Sequence, residues 1–487
     1  MTAPSMALPV LAESAPGLID KSGNVEITGL AHDSRTVNPG DLFFCVPGAE
    51  HDGHDFAADA LARGAAGLVV ERRLDLDCPQ LQTKSVRQAM GPMSSKFYGH
   101  PSLSMTVIGV TGTNGKTTVC SLLRSVLNAA GLQSEILGTL TGVLTTQESV
   151  NLQHQLACWR SAGTEAVVME VSSHALAQHR VDGIRFDAAV FTNLTPDHLD
   201  YHRTIGEYFA AKARLFTPQL SDRAVVNSGD DYGKRLAADP RIPTVGYDPK
   251  NVPVRLGSRD LALKWRGQDV RLPLIGRFNA ANALAAAETA LLLGASPSEV
   301  VVGLESAAPV PGRFEVIEAD SPFTVVVDYA HTPDGLAQVL AAARELVTGS
   351  GCLRVVFGCG GDRDSGKRPM MGKVAAELAD QVIVTSDNPR TEDPEAIIAD
   401  IKAGIPEPYG LAVLDRLAEI NPPSEGVEAV TDRRAAIEQS LARASDGDVV
   451  VVAGKGHETT QVVGHQVIPF DDRVVAREAL AARGATR

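Results

Sequence analysis

Short apolar runs recur along this chain, each bounded by polar or glycine-rich stretches. Leu42–Val46 and Gly67–Val70 come first, then Met105–Val110, Ala166–Val171, Ala188–Phe191 and Ala224–Val226. A third set follows at Thr324–Asp328, Arg354–Phe357, Gln381–Thr385 and Val449–Val452. Runs this short, rich in Val and Ile, predict strands buried on both faces. Between them the apolar spacing turns helical. Leu122, Leu123, Val126 and Leu127 lie on one helix face with Gly131 as C-cap, and Asn279–Leu293 reads as an Ala-rich helix. Strand alternating with helix predicts parallel α/β sheets.

Punctuation divides the pattern into three regions: a smaller N-terminal α/β region over 1–104, a central P-loop-type parallel-sheet region over 105–310, and a C-terminal Rossmann-like region over 311–487. Gly99-His100-Pro101-Ser102 marks the first boundary and Pro309-Val310-Pro311-Gly312 the second. In open sheets of this kind ligands bind at the carboxyl ends of strands, so residues just past the runs carry the most weight.

Composition sharpens this picture. With 44% hydrophobic and 21% charged residues the chain can fill ordinary globular cores. A formal net charge of -14 argues against a nucleic-acid partner, whose footprint is a basic face. The six cysteines form no C-x-x-C pair, which fits reduced thiols in a cytoplasm better than a zinc cluster or disulfide frame. No apolar run reaches the ~18 residues of a membrane helix, and no basic-then-apolar leader precedes the first region.

The run Gly112-Thr113-Asn114-Gly115-Lys116-Thr117-Thr118 sits between a predicted strand and a predicted helix. There, backbone N–H groups and the helix N-terminus can hold phosphate, Lys116 can reach the outer phosphates of ATP, and the Thr117 hydroxyl can hold Mg²⁺. Val110 stands where the strict phosphate-loop pattern has its first glycine, so Gly112 serves a shorter loop. A glycine-rich turn that binds nothing is the alternative. Glu170 closes one apolar run and His198 follows another; together they can hold a cation, while each alone can simply satisfy a turn. Lys212, within Tyr208–Leu215, reads from spacing alone as a solvated helix lysine. Asp393 and Pro394 read as the N-cap and first residue of a helix after Ser386-Asp387-Asn388-Pro389-Arg390, which leaves Arg390 without a task.

Taken in order, several segments resemble the Mur ligases of peptidoglycan synthesis. They are His32–Arg35, Thr111–Thr117, Met169–His174, Thr192–Leu194 with Asp197–His202, Asp328–Pro333 and Gly454–Glu458. The combination is most similar to the ligase that adds the third residue of the stem peptide. That resemblance implies an acyl phosphate made from ATP and the D-Glu carboxylate of UDP-MurNAc-L-Ala-D-Glu, then attacked by an amine. It assigns the three regions to the UDP-substrate, to ATP and to the added amino acid.

Carried over by residue, Ser34, Thr145, Thr146, Ser172, Gln178 and Arg180 resemble contacts to the UDP-substrate. Glu170 and His198 resemble magnesium ligands, and Lys212 the lysine that becomes carbamylated. Asn282, Arg313 and Asp328 resemble the outer ATP site. Arg363, Asp387, Asn388, Pro389, Arg390, Gly454 and Glu458 resemble the pocket for meso-diaminopimelate, where a guanidinium grips the distal carboxylate and Glu458 receives an ammonium. The expected enzyme is a monomer that neither binds nucleic acid nor enters the membrane. The rivals are a lysine-adding ligase, which Arg390 opposes; a folylpolyglutamate-type ligase, which the His32–Arg35 segment opposes; and a nucleotide-binding regulator without ligase chemistry, which Glu170, His198 and Lys212 together oppose.

Overall fold

The computed structural model describes residues 4–48, 51–142, 144–257, 259–406 and 427–485. They fall into two compact units: Met1–Leu194 with Gly206–Pro249 and Ala283–Leu304, and Thr195–Ile205 with Lys250–Asn282 and Glu305–Arg487.

The first unit holds two larger sheets and a small antiparallel pair, Met6–Ala7 with Glu26–Ile27. Its N-terminal sheet has the order Leu18–Ser22, Gln80–Thr83, Gly67–Val70, Asp41–Phe44, Gly29–Ala31, parallel except for the Leu18–Ser22 edge. Its core gathers Leu8, Leu42, Phe44, Val69, Leu81 and the helix residues Met90 and Met93. The larger sheet is six-stranded and all parallel, in the order Thr244–Tyr247, Ala224–Asn227, Ala188–Phe191, Thr106–Thr111, Ala166–Glu170, Ser134–Leu137. The non-sequential order puts the first strand of this sheet, Thr106–Thr111, in the middle, between the later Ala188–Phe191 and Ala166–Glu170 strands. The carboxyl ends of these central strands then deliver the phosphate loop, Thr192 and Glu170 to one edge.

The second unit is built on another six-stranded sheet, ordered Glu315–Val316, Thr324–Asp328, Val449–Ala453, Leu353–Phe357, Gln381–Val384, Val427–Ala429. It is parallel except for the short first strand. Val326, Val355, Val382 and Val451 face one layer of helices, and Val325, Val356, Ile383 and Val450 face the other. Both faces are thus covered, the arrangement that continuous Val/Ile runs require. An antiparallel three-stranded sheet (Val254–Leu256, Leu261–Trp265, Gln268–Leu272) and a hairpin (Thr460–Val463, Gln466–Pro469) complete the unit.

Most expected strands occur within a residue or two of their sequence limits. The helix after the phosphate loop spans Lys116–Ala129 with Ala130 as its cap, and Gly131, the expected cap, follows one residue later in the left-handed region. The alternating signal missed the antiparallel pieces. Val254–Leu256 is three residues with none fully buried and Gln466–Pro469 is exposed throughout, so burial leaves little apolar trace in them.

Candidate active site

Thr106–Thr111 runs straight into the loop, and Val110 belongs to the strand, paired with Glu170. Gly112 turns the chain with φ 152°, and a Cβ there would stand 1.9 Å from Thr192 Oγ1. Side chains are therefore excluded where the loop passes the neighbouring strand end. The loop is anchored from that strand: Thr113 N–H donates to Asn193 O and Asn114 N–H to Asn193 Oδ1, both at 2.9 Å. Thr192 Oγ1 donates to Asn114 O at 2.6 Å. Thr192 and Asn193 are structural partners that the candidate residues did not include, although Thr192-Asn193 follows directly on the Ala188–Phe191 run.

Lys116 and Lys212 meet at this loop. Lys116 Nζ donates to Gly112 O at 3.0 Å and Thr113 O at 2.8 Å. Lys212 Nζ donates to the same Gly112 oxygen at 2.8 Å and lies 4.6 Å from the centre of the Tyr208 ring. Lys212 is only 1% exposed, which corrects its reading as a solvated helix lysine. The residue lies in the Ile205–Ala213 helix on the face that packs against the loop, a placement helical spacing alone does not reveal. Two amino groups thus converge on one carbonyl of the loop.

Glu170 ends its strand 1% exposed. Its Oε1 accepts from Thr117 Oγ1 at 3.0 Å and Thr139 N–H at 2.9 Å, and its Oε2 from Thr139 Oγ1 at 3.2 Å. Thr139 is thus a further site residue, with no sequence signal beyond its place past the Ser134–Leu137 strand. Thr117 and Glu170 form a cluster of oxygen donors, which suits Mg²⁺. Among the described residues no three His, Cys, Asp or Glu side chains gather as a metal-holding group. Glu170 belongs to the first unit. His198 belongs to the second, seven residues past Phe191, at φ 55° ahead of the Leu199–His202 turn of helix.

Of the expected UDP-substrate residues, Thr145, Thr146, Ser172, Gln178 and Arg180 form a connected set in the first unit. Thr146 Oγ1 donates to Glu170 O at 2.9 Å and accepts from Ser172 N–H at 3.0 Å, and Thr145 Oγ1 lies 3.2 Å from Thr139 Oγ1. Arg180 donates to Thr146 O at 3.0 Å and Gln178 Oε1 at 2.7 Å, and pairs with Glu148 at 2.9 Å. Ser34 opens a short 3-10 turn capped by Asp33, on the wall of an N-terminal cleft of about 890 Å³ that also includes His32, Arg35, Phe43 and Phe56.

In the second unit, Asp328 sits at its strand end, accepting from Phe314 N–H at 2.6 Å and Ala330 N–H at 2.7 Å. Burial pushes its carboxyl above the ordinary range, offset in part by the nearby Arg313. Arg313 stacks 4.2 Å over the Tyr329 ring, and Asn282 donates to Asn279 Oδ1 at 2.9 Å.

The Asp387–Arg390 segment follows the Gln381–Val384 strand and is laced to the Thr460–Val463 hairpin strand. Gln461 Nε2 donates to Asp387 O at 2.7 Å, Val462 N–H to Asn388 Oδ1 at 2.9 Å, and Arg390 N–H to Val462 O at 3.1 Å. Arg390 adopts φ 51°, and its guanidinium donates to Gly361 O at 2.5 Å. Pro389 is buried and Arg363 is exposed nearby. Asn388 Nδ2 donates to Glu458 at 2.9 Å, and Lys455 also bonds Glu458, at 3.1 Å. Glu458 therefore already receives an ammonium from within the chain. Asp387 is buried, which raises its carboxyl above the ordinary range. Beneath this floor Arg433 and Asp472, each fully buried, pair at 2.7 Å, and Arg433 also donates to Ala453 O at 2.9 Å. Asp393 caps the following helix as expected, accepting from Glu395 N–H.

Fold and site together define an α/β protein with a glycine loop bonded by two lysines and a second, charge-rich cluster around Asp387–Arg390 and Glu458. The chain belongs to the Mur ligase family. It matches the "Mur ligase family, catalytic domain" over residues 26–98, the "Mur ligase middle domain" over 110–290 and the "Mur ligase, glutamate ligase domain" over 312–456. It is similar to the UDP-N-acetylmuramoyl-L-alanyl-D-glutamate--2,6-diaminopimelate ligase of Geobacillus kaustophilus, with 42% identity covering 98% of this chain and 100% of that one. The protein of the same name from Gloeobacter violaceus is 45% identical, covering 94% and 95% of the two chains. Among solved structures, one of a ligase of that name matches at TM-score 0.64 and 34% identity, over 94% of this chain and 95% of that one. The MurF ligase of Thermotoga maritima in complex with ADP shares the fold at TM-score 0.62 and 19% identity, over 93% and 96%. Among the described residues no helix is long and apolar enough to cross a membrane.

Proposed function

We propose that this chain is an ATP-dependent ligase of the cytoplasm that joins meso-diaminopimelate to the D-Glu carboxylate of UDP-MurNAc-L-Ala-D-Glu. The relatives that are 42% and 45% identical over nearly the whole chain carry that activity in their names. In this reading residues 1–104 hold the UDP-substrate, 105–310 hold ATP, and 311–487 hold the amino acid.

The reaction begins when a carboxylate oxygen of D-Glu attacks the γ-phosphorus of ATP. ADP leaves and an acyl phosphate forms. The substrate amine then attacks the acyl carbon, phosphate departs, and the amine gives up a proton. Lys116 and the N-terminus of the helix after Gly115 offset charge on the phosphate oxygens. Thr146, Ser172 and Arg180 orient the peptide, so that much of the acceleration comes from proximity. Asn282, Arg313 and Asp328 hold the outer part of ATP. Thr117, Glu170 and His198 would hold magnesium, which supplies charge neutralisation at the phosphates. Lys212, as its carbamate, would add an anion beside that ion.

The observation that carries the amino-acid assignment is the joining of Arg390 and Glu458 through one loop. Asn388, two residues before Arg390, bonds Glu458 directly. A cation and an anion joined in this way would match a substrate with a distal carboxylate and a distal ammonium. The test is ADP release measured with UDP-MurNAc-dipeptide and diaminopimelate supplied separately and together. Full turnover requires both. Release that ignores the dipeptide rejects the ligase reading.

A further inference from the structure

Lys455 stands between two residues of the amino-acid pocket, Gly454 and Glu458, and its side chain is 0% exposed. Its backbone explains how a lysine comes to point inward. Gly454 and Gly456 flank it with φ 115° and 53°. A Cβ at Gly454 would lie 2.4 Å from Asp387 Oδ2, and one at Gly456 would lie 2.6 Å from Gly312 O. The two glycines let the chain turn tightly against both neighbours, which directs the residue between them into the floor.

There the ammonium meets two acceptors, Asn388 Oδ1 at 3.2 Å and Glu458 Oε2 at 3.1 Å. Asn388 Nδ2 bonds the same Glu458 oxygen at 2.9 Å. Asn388 Oδ1 is held in addition by Val462 N–H. Lysine, asparagine and glutamate thus close a triangle. Among the described residues every bond to the Glu458 side chain falls on Oε2, and the side chain remains 33% exposed. The triangle fixes one oxygen and turns the other outward.

We propose that Lys455 is a positioning residue of the amino-acid pocket: it pins Glu458 and Asn388 so that Glu458 Oε1 faces the ammonium of the incoming amino acid. A buried ammonium needs a charged partner close by, because leaving it unpaired costs more than the pair itself contributes. Glu458 is therefore tethered to the floor, and a preset carboxylate spares the substrate the ordering of a free side chain. This role rests on the amino-acid pocket proposed above.

The test is steady-state kinetics of the full chain with all three substrates varied in turn. Lys455→Met removes the ammonium at similar length, and Lys455→Gln retains a hydrogen-bonding group without the charge. Both should raise KM for diaminopimelate by about 10-fold or more while KM for ATP and for the UDP-substrate stay within about 2-fold. Glu458→Gln should raise the same KM, and combining it with Lys455→Met should add little, because the two residues act as one unit. If Glu458→Gln leaves the diaminopimelate KM unchanged, the pocket reading itself fails. If Glu458→Gln raises it and the folded Lys455 variants do not, or if they lower only kcat or raise all KM values alike, the positioning role alone is overturned. If neither Lys455 variant folds, by melting and circular dichroism, Lys455 is a folding residue and the positioning role is likewise rejected.

Discussion

The phosphate loop and the proposed amino-acid pocket both sit at the carboxyl ends of parallel strands, yet they are made of different materials. The loop works through backbone: Asn193 anchors its Thr113 and Asn114 N–H groups, and Gly112 lets the chain pass Thr192 without a side chain. Its cation is Lys116, which bonds the Gly112 carbonyl that Lys212 also bonds. The pocket works through side-chain charge, with the buried Arg433–Asp472 pair below and Lys455, Glu458, Asp387 and Arg390 around it. Backbone amides recognise phosphate whatever molecule carries it. Telling one amino acid from another by a single distal carboxylate demands a charged side chain, and holding that side chain demands further buried charge.

The sharpest way to break the comparison is Lys116→Ala. The loop's backbone remains, but a phosphate-directed cation is lost, and kcat/KM for ATP should fall by roughly 10³-fold or more. Near-normal turnover at saturating ATP would mean that the backbone alone suffices. Asp472→Ala attacks the pocket from beneath. Arg433 would be left buried without its carboxylate, which should cost about 3–5 kcal/mol of stability by urea denaturation. An unchanged midpoint would show that the pair is not a foundation of the second unit.

Arg390→Ala removes the recognising group alone. Loss of one partner of a charge pair is expected to cost on the order of 2–5 kcal/mol, so most of the preference for diaminopimelate should vanish while the melting temperature holds. A preference that survives would move recognition to Arg363.

A smaller effect concerns pH. Burial, together with the Lys367 cation, holds His331 down to about 4, and its ring bonds Tyr329 O at 2.9 Å. The native state thus keeps the ring neutral, while the unfolded chain protonates it near the ordinary histidine value. Stability should be complete above pH ~6.5 and decline as pH falls from there toward 4. His331→Gln should flatten that slope in urea midpoints taken across the range. An identical slope would assign the acid sensitivity elsewhere.

The difference in materials also sets what could be read without a structure. The phosphate loop, Glu170 and the two parallel sheets were legible because buried strands leave apolar runs and phosphate binding leaves glycines. Lys212 was misread as solvated, since whether a helix lysine faces water or a neighbouring loop is decided by packing, not by spacing. Lys455 lay unassigned between two assigned residues. Arg433 and Asp472, 39 residues apart, leave no local pattern at all. Thr139 and Asn193 are ordinary polar residues until the sheet order brings them beside Glu170 and the loop.

The central claim is that a pocket built on Arg390 and Glu458 selects an amino acid carrying a distal carboxylate. Its most direct test is ADP release by the unaltered chain with UDP-MurNAc-dipeptide and either meso-diaminopimelate or L-lysine, compared as kcat/KM. The two share both amino groups and the α-carboxylate and differ by the one carboxylate that Arg390 would grip. The account predicts a preference for diaminopimelate of roughly 30-fold to several thousandfold, from the same 2–5 kcal/mol at tenfold per ~1.4 kcal/mol. Equal use of the two amino acids would contradict it.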